Sequence, residues 1–178
     1  MPETNAAASH VAIRRWREVP HSDQLIAGLN GIFFEASNTK SFSSEEAKEA
    51  FRERWFARYL KQYPQWAYVA QSTDDGAAAG YLVGALDEPS SLDDFAAAAE
   101  NFPAHLHVNL APQFRSRGIG AELIEAFAAD AARAGVKGVH VVTSSDARNV
   151  HFYQRVGFHP RATASVNGHE LVFLGRSL

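Results

Sequence analysis

The chain has 178 residues, a formal net charge of −3 and no cysteine. That length suits one domain, and a chain of this size buries about 70% of its unfolded surface. Lack of cysteine excludes a disulfide framework, a thiolate metal site and a cysteine nucleophile and suits a reducing cytoplasm, while the negative balance argues against broad nucleic-acid binding.

Residues 1–9 are small, polar and alanine-rich and read as a loose tail, with a single domain over residues 10–178. No basic-then-apolar leader pattern opens the sequence, and no apolar run approaches the ~20 residues of a membrane span. Val11 to Trp16 alternates as a first strand. Ser22 is placed to cap a helix carrying Leu25, Ile26, Leu29 and Phe33 on one face. Ser43 and Glu46 have capping-box spacing and open a second helix. In it Phe51, Trp55 and Tyr59 recur every four residues, the pattern of a core stripe, and Pro64 ends it. Gln65 to Gln71 and Gly80 to Leu86 read as two strands joined at Asp74-Asp75-Gly76. Residues 88–103 are an insertion: Pro89 breaks the chain, Ser90 or Ser91 caps, and Leu92 to Asn101 forms a short helix. Its apolar face is thin, so it is expected to decorate the surface or to cover a site or a partner chain.

His105 to Leu110 alternates as the fourth strand, which Pro112 terminates. A helix comes next with Ile119, Leu123, Phe127 and Ala131 on one face, and Gly135 beyond it is a C-cap. Gly138 to Thr143 is a fifth strand, Asp146 to Tyr153 a helix. Thr163 to Val166 and Glu170 to Leu174 close the chain as a hairpin across Asn167-Gly168, a type I′ signal. The order β-α-α-β-β-(insertion)-β-α-β-α-β-β predicts an α/β (α+β) fold. Its central sheet is mixed, mostly antiparallel, of about seven strands, with helices on both faces.

Between the fourth strand and its helix lies Arg115-Ser116-Arg117-Gly118-Ile119-Gly120. The first N–H groups of a helix lack intrahelical acceptors, and the helix dipole adds positive charge there. Gly118 and Gly120 lack a Cβ, so an anion can approach the backbone, and Arg115 and Arg117 bring forked cationic donors. The turn is therefore an anion site. It lacks the third glycine and the later acidic residue of a dinucleotide fingerprint, which disfavours a nucleotide-binding α/β protein.

RSRGIGA fits the Q/R-x-x-G-x-G/A acetyl-CoA motif of the GCN5-related N-acetyltransferase (GNAT) family. NVHFYQRVGF fits that family's late helix, which carries a tyrosine and ends in Gly-Phe. With these two stretches, which together cover about residues 104–160, the chain closely resembles the GNAT family. The resemblance implies that strands four and five splay apart and that acetyl-CoA lies between them. It implies direct acetyl transfer to a primary amine of a small molecule or peptide in a ternary complex. On that reading Val108, Asn109 and Leu110 hold the pantetheine arm by backbone groups, and Asn149 adds a hydrogen bond. Arg115, Ser116, Arg117, Gly118, Ile119, Gly120 and Ala121 hold the diphosphate. Tyr153 also touches the cofactor and donates to the departing thiolate. A phenol of pKa about 10 facing a thiolate of about 8.5 is uphill by about 2 kcal/mol.

For the base that deprotonates the amine, two residues stand out. His107 has a reference pKa near neutrality and stands on the strand where the family's base or its water often sits, and a water chain from either residue can serve instead. Asp146 stands where many family sequences have Asn; it either places a carboxylate near the cleft or caps the helix. His105 shares a strand face with His107, but no third ligand is near, so no metal is expected. HxH with a later DxxNxxFY is also similar to the acetyltransferase-like domain beside some O-GlcNAc hydrolases. That similarity keeps open an alternative, a cofactor-binding or pseudo-acetyltransferase module that transfers nothing. The first two helices flank the acceptor in this family, so some of their aromatic residues can line it. The insertion is a lid for the acceptor mouth or, if the protein is a homodimer, its contact.

Overall fold

In the computed structural model, which describes residues 10–87 and 93–178, the elements keep the predicted order. They are β1 (Val11–Arg15), α1 (Asp23–Ala36), α2 (Glu45–Arg52), a π-helical turn (Glu53–Ala57), α3 (Arg58–Gln62), β2 (Ala67–Ser72) and β3 (Ala78–Ala85). Then come α4 (Ala96–Ala99), β4 (Ala104–Leu110), α5 (Ile119–Arg133), β5 (Gly138–Ser144), α6 (Asn149–Arg155), β6 (His159–Val166) and β7 (His169–Ser177). The tail and the break and caps expected at Pro89, Ser90 and Ser91 lie outside the described residues.

Local chemistry sets the element ends. Ser22 caps α1, its hydroxyl accepting from the Leu25 N–H at 3.1 Å. Ser44 rather than Ser43 caps α2, accepting from Ala47 N–H at 3.1 Å. At the end of α5, Gly135 takes φ 83°, and the Val136 N–H reaches back to the Ala131 carbonyl at 3.1 Å. Asn167 and Gly168 both have positive φ, 51° and 80°, as a type I′ turn requires.

The helix after Ser44 departs from its predicted stripe. A four-residue repeat assigns Phe51, Trp55 and Tyr59 to one inward face. The π-helical turn adds one residue to a turn of helix and re-phases the residues beyond it. Phe56 therefore takes the inward position, 1% exposed and 4.5 Å from the Tyr81 ring, while Trp55 turns out to 37% exposure.

All seven strands form one sheet in the order β1-β2-β3-β4-β5-β7-β6. Every neighbouring pair is antiparallel except β4 and β5. Directly opposed residues share a face, so the register assigns sides. Tyr68, opposite Leu82, meets Phe127 of α5 edge-on at 6.3 Å, which marks the α5 side. Tyr81, its ring packed at a tilt against Phe56, marks the α1–α3 side, and Tyr81 opposes Asn109 while Val83 opposes His107. His105, His107 and Asn109 thus look toward α1–α3, and Leu106, Val108 and Leu110 toward α5.

The insertion contributes more than its composition predicts. Its helix shrinks to Ala96–Ala99, preceded by a 3-10 turn at Asp93–Phe95. Phe95 is fully buried and forms a second small core with Phe102 and Phe173, against Val142, Ala162, Ala164 and Leu171. The thin apolar helix works as one deep anchor, because a single phenylalanine brings 150–250 Å² of apolar surface. Phe95→Ala is therefore expected to cost about 3–5 kcal/mol, as buried Phe→Ala changes do. Trp55→Ala, on the half-exposed ring, is expected to cost well under half as much. Urea denaturation midpoints at constant m-value measure both.

Candidate active site

β4 and β5 pair at two positions only, Ala104 with Val139 and His105 with His140. Beyond His105 they part. β4 stays zipped to β3 up to Gly80 opposite Leu110, and β5 to β7 from Gly138 through Ser144. The Ala111 N–H donates to the Ala79 carbonyl at 2.9 Å. In an antiparallel ladder the direction alternates, so the backbone groups of Val108 and Leu110 point away from β3, into the gap. The Leu110 carbonyl is engaged there by Arg115 Nε at 3.2 Å. The N–H and C=O of Val108 and the N–H of Leu110 have no strand to bond. The expected splay is thus present, and Val108 and Leu110 line it.

The turn before α5 stands at the mouth of this gap. Ser116 has φ 60° and Gly118 φ 83°, and Gly118 is the helix N-cap without a side-chain cap. The first intrahelical bond runs from Glu122 N–H to the Gly118 carbonyl, leaving the N–H groups of Ile119, Gly120 and Ala121 without helical acceptors. The predicted roles of the glycines change in part. A Cβ on Gly120 would meet Phe152 Cζ at 3.0 Å and Leu110 Cδ1 at 3.6 Å. Gly120 is needed for packing α5 on α6 and β4. The two arginines also separate. Arg115 spends its fork on the Leu110 carbonyl and on Glu35 at 2.5 Å, tying α1 to the turn. Arg117 lies over the Phe114 ring, 5.6 Å from its centroid, and makes no ion pair among the described residues.

α6 begins at Asn149, three residues later than predicted. Asp146 is exposed in the preceding turn, and α6 has no side-chain cap, so Asp146 does not act as one. The Asn149 Oδ1 accepts from Thr143 Oγ1 of β5 at 3.1 Å, which fixes its amide beside the gap. Tyr153 is 7% exposed, its ring set between Phe152 at 5.2 Å and Phe158 at 5.5 Å. Its hydroxyl has no hydrogen-bond partner among the described residues, an uncommon state for a buried phenol. Burial pushes its pKa up, so it stays a protonated donor at neutral pH.

On the α1–α3 side of β4, a polar cluster centres on a residue that the sequence marks only as core. The Tyr59 hydroxyl lies 2.8 Å from His105 Nε2 and 3.3 Å from His107 Nε2, and accepts from Arg58 Nη2 at 3.0 Å. Trp55 meets the His107 ring edge-on at 6.3 Å. His140 comes next in line, its ring 5.7 Å from His105 and its Nδ1 donating to the Phe102 carbonyl at 2.5 Å. Asn109 Nδ2 donates to the Tyr81 hydroxyl at 2.8 Å. A buried tyrosine needs a partner for its O–H. Setting Tyr59 of one stripe against the HxH of a strand is the signal that would have found the cluster.

The environment corrects one expectation about His107. Burial, then the charges of Arg58 and His140, hold it down to about 4. Burial, then the charges of His107, His140 and Arg58, hold His105 down to about 3. His107 is therefore neutral at pH 7 and weakly basic, not poised at neutrality. In the unfolded chain both titrate near 6.5. Between about 6.5 and these lowered values the unfolded state binds more protons, so stability is full above 6.5 and falls as pH drops through that window. Thermal midpoints measured by circular dichroism should decline from pH 6.5 toward pH 4.5. The decline should be shallower in His105→Gln/His107→Gln.

The acetyltransferase (GNAT) family model matches residues 33–158, well over half of the chain. Among solved structures the chain is similar to SsHAT, at 25% identity and a TM-score of 0.71, over 94% of this chain and 98% of that one. It is similar to the ribosomal-protein-alanine N-acetyltransferase from Brucella melitensis, at 20% identity and a TM-score of 0.64, over 94% and 99%. It is also similar to a chain of the NatC complex bound to Gag peptide and CoA, at 14% identity and a TM-score of 0.67, over 94% and 98%. At the last two identities the likeness is one of fold. With its splayed strands, its glycine turn and this match, the chain belongs to the GNAT acetyltransferase family.

Proposed function

We propose that this chain transfers the acetyl group of acetyl-CoA to a primary amine, held with it in a ternary complex. What supports the reading is that three unsatisfied sets belong to the elements that border this gap. These are the N–H and C=O of Val108 and the N–H of Leu110 on β4, the uncapped N–H groups at Ile119 to Ala121 on α5, and, on α6, which packs on α5 through Phe152, the Tyr153 hydroxyl, without a partner among the described residues. An extended amide chain with an anionic end and a sulfur leaving group fits all three. That one similar structure was solved with CoA supports the same choice.

When bound, acetyl-CoA supplies an activated thioester carbonyl. The residues of this chain do the rest. The N–H groups of Val108 and Leu110 are free to hold a pantetheine amide and to polarise the thioester oxygen, as an oxyanion hole does. Arg117 and the α5 terminus hold the diphosphate. The Asn149 amide, fixed by Thr143, faces the pantetheine arm. The amine nitrogen forms its bond to the carbonyl carbon as the C–S bond breaks, the thiolate leaves toward the Tyr153 hydroxyl, and the proton shed by the nitrogen passes through water to the departing thiolate. Burial makes that phenol a weaker acid than a free one, so its main contribution is a hydrogen bond to developing negative charge. The amine is taken to be a small-molecule or peptide primary amine, and it enters from the α1–α3 side, where His105, His107 and Trp55 lie.

Two outcomes are expected. Arg117→Ala should weaken acetyl-CoA binding by about tenfold or more, what loss of a charge-assisted hydrogen bond gives, with little change in thermal midpoint. Arg115→Ala, whose donors are already engaged by Glu35 and Leu110, should weaken it less; calorimetric titration compares them. Tyr153→Phe keeps the ring packing and should leave acetyl-CoA affinity nearly unchanged while slowing thiol release over a panel of amines by ~10²-fold or more. CoA affinity without thiol release by the unaltered protein on any amine would establish a binding module instead.

A further inference from the structure

The Tyr59 hydroxyl faces more imidazole nitrogen than one phenol proton can serve. Its oxygen accepts from Arg58 Nη2 at 3.0 Å, a group that can only donate. It also lies 2.8 Å from His105 Nε2 and 3.3 Å from His107 Nε2. The phenol has one proton, so at most one of these nitrogens can receive it, and the other must carry its own hydrogen. The distances separate the two. The shorter contact, 2.8 Å, is assigned to the donated O–H, and the weaker one, 3.3 Å and slightly beyond the usual N–H···O length, to an N–H donated by His107. Whichever group takes the phenol proton besides His107, His107 Nε2 is then the donor. A neutral imidazole with hydrogen on Nε2 bears its lone pair on Nδ1. The Nδ1 of His107 has no partner among the described residues.

The rest of the surroundings fix the ring without competing for that lone pair. Trp55 presents its edge to His107 at 6.3 Å, and the Tyr59 and His105 rings stand edge-on to it at 5.5 and 5.8 Å. Tyr59 itself is 1% exposed, and its ring is further held by the Arg58 guanidinium 4.5 Å from its centroid. A buried phenol on rigid packing is the kind of group that sets the tautomer of a neighbouring histidine.

We propose that Tyr59 is a positioning residue that holds His107 as the Nε2–H tautomer, and so leaves His107 Nδ1 as the hydrogen-bond acceptor for an N–H of the incoming amine. The inference rests on the transferase reading for the amine, but not for the tautomer. In that role His107 orients the amine lone pair toward the thioester carbonyl.

Long-range ¹H–¹⁵N correlation spectra of the unliganded protein, labelled at histidine nitrogens, read the tautomer directly. His107 is expected with a protonated Nε2 and a pyridine-like Nδ1. In Tyr59→Phe, which keeps the ring, that pattern should collapse toward a mixture of tautomers. The same variant should lose about fivefold to tenfold in kcat for amines, the effect of one neutral hydrogen bond, with acetyl-CoA affinity unchanged. His107→Asn, whose Oδ1 stands near the position of Nδ1, should retain more activity than His107→Gln, which replaces Nε2 instead. A protonated Nδ1 on His107 in the unaltered protein would overturn the proposal, as would a tautomer indifferent to Tyr59→Phe. If the tautomer is as stated but no amine is acetylated, the transferase reading fails and the assignment of Tyr59 stands.

Discussion

Parallel strands gain hydrogen bonds by staying together, and β4 and β5 give up that gain after two residues. The rest of the site depends on that separation. Each strand is held on its other side by a full antiparallel ladder, β4 by β3 and β5 by β7. The sheet is therefore two stable halves joined by a short seam. The unpaired backbone of Val108 and Leu110 would be costly if sealed from water, about 1–3 kcal/mol for each orphaned group. It is kept partly open instead, where water or an extended amide chain can satisfy it. Gly120, Phe152 and Leu110 pack against one another at the wide end. They bring α5 and α6 to the gap and hold the N-terminus of α5 beside its mouth.

Charge is arranged locally rather than globally. A chain of net charge −3 offers no long-range attraction to a polyanion. Beside β4, the uncapped α5 terminus and Arg117 supply local positive charge, while Arg115 is neutralised by Glu35. On the opposite side of β4 the histidines are neutral because burial and Arg58 make a second positive charge unfavourable. The α5 side of the strand thus has the uncapped helix terminus, and the α3 side has uncharged imidazoles.

The strand order, the splay and the glycine turn that opens α5 were legible because each is written in a short stretch. Alternation gives the strands, and RSRGIG after a strand gives the helix terminus. What escaped depends on residues distant in sequence. Arg115 looks equivalent to Arg117 until Glu35, eighty positions away, is seen to hold it. Phe95 looks like one apolar residue in a weak helix until Phe173 closes over it. His107 has an ordinary reference pKa until the fold buries it beside Arg58. Asp146 has the spacing of a cap, but the turn from Ser144 to Ala147 delays α6 past it. The stripe Phe51, Trp55, Tyr59 fails at Trp55 for a different reason: a π-helical turn changes the period, and periodicity is all that a stripe has.

That turn also bears on how such a protein can change over evolutionary time. A π-helical turn amounts to one residue added to an α-helix, and each residue of a helix is worth about 100° of rotation. Loss of a single residue between Glu53 and Ala57 would swing α2 around its axis relative to α3. Ser44, Phe51 and the loop after α1 would be carried with it. Tyr59 and the β4 histidines, which lie downstream of the turn, would keep their places. The wall beside the histidines is thus built as a separately adjustable part, open to large change by one-residue indels, while the seam between β4 and β5 is left untouched.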